Sequence, residues 1–118
     1  MQEKHSKADR KFIRTLAGIA WERQLRDELI KIGDVITEME SGGLSPFDVS
    51  DRVHQFHNGI SRELFTRYSV SDPWFAVCRA HCYGVLTDED LVNASDNVRM
   101  RLKNSLTTFR STDVTRVR

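Results

Sequence analysis

The sequence predicts an all-α fold: a small helical bundle with a long N-terminal helix, a second long helix and two or three shorter helices. Three observations carry this expectation. Apolar residues recur at steps of three and four over long stretches, the spacing of one helix face. No segment alternates apolar and polar residues for long enough to make a strand. The periodic stretches are punctuated by helix-starting Ser, Thr or Asp and helix-stopping Gly.

The first helix is expected from about Asp9 to Glu40. Leu25, Leu29, Ile32, Ile36 and Met39 form one stripe, and Phe12, Leu16 and Ile19 repeat the same steps upstream. The two stripes are out of phase, because continuing the first lands on Arg23. Gly18 lies near the change, so a bend or a switch of packing partner is expected there. A helix of about 30 residues is about 45 Å long. That exceeds what short neighbours cover, so the stretch carrying Phe12, Leu16, Ile19 and Trp21 is expected to meet a partner chain.

"ESGGLSPFD" closes this helix and opens the next. Gly42 and Gly43 suit a left-handed closing residue, and Ser45-Pro46-Phe47-Asp48 has the form of a capping box. The second helix is expected over Pro46–Tyr68, with Val49, Val53, Phe56, Ile60 and Leu64 inward. Gly59 costs about 1 kcal/mol against Ala in mid-helix, so it marks a bend or a close backbone approach. Ser71 or Asp72 caps a third helix over Trp74–Tyr83, ended by Gly84. Thr87 to Asp90 starts a short helix, and Ser95 or Asp96 caps the last. That last helix turns Val98, Leu102, Leu106 (or Ser105) and Phe109 inward. Phe47, Phe65, Trp74 and Phe75 do not all fit these stripes, so some belong between helices or at a subunit contact.

A chain of 118 residues suits one domain with a modest core. The expected organisation is a flexible N-terminus (1–8), one helical domain (9–110) and a flexible tail (111–118). No basic-then-apolar leader opens the sequence, and the longest apolar-or-Gly run is "LAGIAW". A cytoplasmic protein with reduced thiols and no membrane span is therefore expected. Charge is uneven: net +3 over residues 1–14, −7 over 15–98 and +5 over 99–118. Basic ends suit nucleic acid or an acidic surface. Aromatic residues do not interleave them, and the helix after the "YGVLTDEDL" turn is acidic, so nucleic acid is the less favoured partner.

Two clusters bear on chemistry. Cys78, His81 and Cys82 share one helix face, and thiolate and imidazole suit Zn²⁺. Three ligands within one turn are cramped, and a fourth must come from elsewhere, where His54 or His57 could supply it. The same face carries Trp74, Val77 and Val85, so packing is the preferred reading and no cofactor is expected. His54 and His57, with Asp51 nearby, suit a metal or acid–base pair, but hydrogen bonding across a helix–helix contact explains them more simply. No nucleophile motif or phosphate-binding loop is present, so no catalytic residue is assigned. The best functional expectation is a non-catalytic helical interaction domain that forms a homodimer. A Cys/His metal protein or enzyme is the first alternative, and a nucleic-acid binder the second.

Overall fold

The computed structural model describes residues 6–105. Every regular element in that range is helical. The first helix, α1, spans Lys7–Glu40 without interruption. The second, α2, covers residues 46–70 as four consecutive stretches: α-helix Pro46–Phe56, a π-helical turn His57–Ser61, one α turn Arg62–Phe65 and a second π-helical turn Thr66–Val70. Helix α3 spans Pro73–Cys82, a 3₁₀ turn follows at Asp88–Leu91, and α4 occupies residues 96–105. No described helix is long and apolar enough to cross a membrane. The expected tail 111–118 and the inner-face positions Leu106 and Phe109 lie outside the described residues. Of the expected flexible N-terminus, Ser6 to Ala8 are described, and Lys7 and Ala8 belong to α1.

The chain forms two compact units. One combines the chain through Ala20 with the chain from Ser71 onward, and the other is Trp21–Val70. Helix α1 contributes to both, and the division falls two residues beyond Gly18.

In the first unit α1 buries Ile13, Leu16, Ala17 and Ala20. Helix α3 buries Trp74, Ala76, Val77, Cys78 and Ala80, and Leu86, Leu91, Val98 and Leu102 are also buried. The leucines and Trp74 supply most of the apolar area, a fully buried leucine being worth about 1.5–3 kcal/mol. Arg101 lies over the Trp74 ring, 4.4 Å from its centroid, so a cation closes that side of the indole.

Local chemistry sets the helix ends here. Asp72 accepts the Trp74 N–H (3.2 Å), with Pro73 opening α3. Beyond Tyr83, Gly84 takes φ +83°, while the Val85 N–H bonds Ala80 O and the Gly84 N–H bonds His81 O. This left-handed closure satisfies two carbonyls the helix would leave open. Thr87 donates its backbone N–H to Asp90 at 2.8 Å, fixing the 3₁₀ turn. Ser95 caps α4 by accepting the Val98 N–H.

The same Ser95 hydroxyl donates to Asp9 Oδ1 at 2.9 Å, and Asn97 Nδ2 reaches Asp9 Oδ2 at 3.4 Å. Asp9 is buried, and its own N–H is held by Ser6 Oγ. The first turn of α1 is thereby tied to the first turn of α4 through one carboxylate.

The second unit is an antiparallel two-helix hairpin. Gly42 takes φ +91°, with Gly42 N–H bonding Met39 O and Gly43 N–H bonding Glu38 O. A Cβ on Gly43 would lie 2.9 Å from Glu38 Cγ, so this turn tolerates no larger residue without movement. Ser45 and Asp48 then make the full capping box expected from sequence. The Ser45 backbone N–H, helped by its hydroxyl, holds the Asp48 carboxyl below the usual carboxylate range. At the open end Trp21 meets Phe65 edge-on, with centroids 5.9 Å apart, and Tyr68 donates its hydroxyl to Gln24. These two contacts place the Trp21 end of the α1 segment beside the Val70 end of α2.

Gly59 lies inside the first π-helical turn, and a Cβ there would meet nothing within 4 Å. The expected close backbone approach is therefore not its reason for being there. The expected bend at Gly18 is likewise not needed to explain that residue, since α1 passes through it as regular helix into open space.

Two stability changes follow. Asp9→Ala breaks the α1–α4 tie and is expected to cost about 1.5–3 kcal/mol, the range for hydrogen bonds to a charged group. Gly18→Ala adds a Cβ that meets no atom and is expected to gain up to about 1 kcal/mol. Denaturant unfolding of the two variants against the parent chain checks both signs.

Candidate functional site

The Cys/His cluster is split by the fold. Cys78 is in the core of the first unit, and burial pushes its thiol above the ordinary range, only partly offset by the Ser105 hydroxyl and the nearby Arg101 charge. A thiolate, the form a metal binds, is disfavoured there. Cys82 is only half-buried, and both cysteines are free thiols. His81 is turned toward Asp88, with Nε2 3.4 Å from Oδ1. Among the described residues no three His, Cys, Asp or Glu side chains converge as a metal site requires.

His54 and His57 are both exposed on α2. The expected hydrogen bonding across a buried helix–helix contact is corrected, because neither ring is enclosed by one. His54 precedes the π-helical turn that begins at His57, so the exposure of the two rings reflects the helix face they occupy.

The four residues expected at a subunit contact separate as well. Leu16 is buried in the core of its own unit and so is corrected as a surface contact. Phe12 and Ile19 are half-buried beside it in sequence. The inward set is Ile13, Leu16, Ala17 and Ala20, one step round the helix from the Phe12–Leu16–Ile19 stripe. Small alanines had masked that face. Trp21 is half-buried against Phe65.

The uncovered apolar surface lies instead on the hairpin. Leu29 is 48% exposed, Ile36 40% and Val53 43%, although all three belong to the stripes that face the hairpin seam. Ile32, Met39, Phe56 and Ile60 are half-buried, and within α2 only Val49, Leu64 and Tyr68 are buried. The cause is geometric. A core-facing helix stripe is at least about 100° wide, and one neighbouring helix covers only part of it. Leu29 and Ile36, seven residues apart, lie two turns apart on one face of α1. Of the aromatic residues that fitted no stripe, Trp74 is core, whereas Phe47, Phe65 and Phe75 remain exposed.

The hairpin also carries a charge gradient. Its turn half, residues 33–56, holds five carboxylates (Asp34, Glu38, Glu40, Asp48, Asp51) against Arg52, net −4. Its open half, residues 21–32 and 57–70, holds five basic and four acidic side chains, net +1.

The two thiols are expected to react in order. At neutral pH iodoacetamide should modify Cys82 first, and Cys78 should react only as fast as the first unit opens. Peptide mass mapping over time reads this directly, and equal labelling of both cysteines would show that Cys78 is not enclosed.

No protein-family model matches the chain, and no curated protein or solved structure matches it.

Proposed function

We propose that this chain is a non-catalytic helical interaction domain that self-associates through the open face of its Trp21–Val70 hairpin. The observation that carries the reading is the exposed flank of Leu29, Ile36 and Val53 on a two-helix seam. A pair of helices leaves such a seam half wet, and a second pair closes it as a four-helix arrangement. The stretch Trp21–Glu40 is about 30 Å long and two helices side by side are about 20 Å wide. That face offers roughly 600 Å², near the roughly 800 Å² per partner of a stable interface.

The charge gradient favours a second copy of the same chain as occupant, in one orientation. Head-to-tail pairing sets the −4 turn half of one hairpin against the +1 open half of the other, twice over. Head-to-head pairing sets −4 against −4 and is penalised. The twofold axis then makes each contact count twice, so a weak stripe suffices.

Mass measured across a concentration series tests this. The parent chain is expected to be a dimer whose melting temperature rises with concentration. Leu29→Glu and Ile36→Glu alter exposed positions, so helix content should persist while dissociation rises about a hundredfold, as for loss of a central contact. A parent chain that stays monomeric at every concentration overturns the proposal. Nitroxides on Ser41→Cys, in a Cys82→Ser background, should sit far apart in the dimer; a short distance between them overturns the head-to-tail orientation.

A further inference from the structure

The first unit contains a cavity of about 260 Å³ lined by His81, Asp88, Leu91, Arg99, Leu102 and Lys103. Its floor and its rim differ in chemistry. Leu91 and Leu102 are buried and give it an apolar base. Three of the four polar lining residues are basic or can become so.

Arg99 is held in place rather than loose at the surface. Its Nε donates to Ala94 O at 3.1 Å and its Nη2 to Val92 O at 2.7 Å, closing the end of the 3₁₀ turn. A guanidinium has five N–H donors in one plane, so two are committed to fixing its position and others remain for a ligand. Lys103 lies four residues further along α4, on the same face. Like charges at that spacing repel, and neither residue forms an ion pair among the described residues. The one carboxylate of the lining, Asp88, is at the exposed rim and faces His81.

His81 belongs to the same lining and is largely covered. Its side chain is 14% exposed, and its Nδ1 is enclosed with no hydrogen-bond partner among the described residues.

We infer that this cavity binds a small organic carboxylate with an apolar body. The carboxylate lies between Arg99 and Lys103, and the apolar body rests on Leu91 and Leu102. The volume admits a molecule of a few carbon atoms or a single ring, below the usual range for drug-sized ligands. An inorganic anion satisfies the rim and leaves the leucine floor wet. A neutral apolar molecule covers the floor and leaves the like charges unrelieved. The site lies wholly within the first unit and does not rest on the dimer reading.

Amide and Arg Nε–H NMR titration tests the inference, at fixed ionic strength, with benzoate, benzamide and phosphate as probes. Benzoate is expected to give saturable shifts at the Arg99 Nε–H and at the amides of residues 88–91 and 99–103. Lys103→Gln, an exposed change that leaves the fold intact, is expected to weaken benzoate roughly five- to tenfold, the loss of one charge-assisted contact. Benzamide is expected to bind at least that much more weakly than benzoate. Equal binding of benzamide overturns the anion part of the inference. Phosphate binding as tightly as benzoate overturns the apolar-body part. Absence of saturable benzoate shifts, or an unchanged affinity in Lys103→Gln, overturns the site.

Discussion

The rest of the structure depends on how a single 34-residue helix buries its apolar residues. An α-helix advances by about 100° per residue, so a continuous stripe requires a strict three–four spacing. Helix α1 keeps that spacing twice and breaks it once. Ile13, Leu16, Ala17 and Ala20 make one inward set, while Leu25, Leu29, Ile32, Ile36 and Met39 make a second stripe, out of phase with it and only partly covered. One neighbour cannot cover both. The chain answers by giving each stripe its own unit, with the division between Ala20 and Trp21. The first stripe has α3 and α4 in its unit. The second has only α2, and the half-wet seam of the hairpin follows from that shortage of helices.

Within each unit the helices are placed by their ends. Gly42 and Gly84 both take left-handed φ and close their helices with the same pair of backbone hydrogen bonds. Ser45, Asp72 and Ser95 open the following helices with side-chain oxygens. Ser95 does more than cap, because its hydroxyl hydrogen goes to Asp9. One small polar residue therefore sets both where α4 starts and which helix it lies beside. Arg99 plays a comparable double part, closing the 3₁₀ turn while standing over the cavity.

The features written in local sequence were legible before any coordinates. The capping box at Ser45, the stop at Gly84, the turn at Thr87 and the inward positions Val98 and Leu102 are encoded within four residues of where they act. Features that depend on distant residues were not. Nothing near Asp9 announces that it meets Ser95, 86 positions away. The phase of the first α1 stripe was not legible because two of its inward residues, Ala17 and Ala20, weigh little in a hydrophobic pattern. The π-helical turns in α2 left no local mark that separates them from ordinary helix. The cavity beside His81 draws on α3, the 3₁₀ turn and α4 together, which no single stretch could reveal.

The chain has two tryptophans, and the fold assigns one to each unit. Trp74 is buried under the Arg101 guanidinium, in a fixed and largely dry setting. Trp21 is half-buried, its ring edge against Phe65 and part of its surface in water. An indole in water emits at longer wavelength than one in a dry core, and a cation held against the ring perturbs its emission further. The molecule thus has two built-in fluorophores of different colour, each reporting on its own half of the chain. Whether the halves melt together or in sequence is encoded in its intrinsic emission, with no label attached.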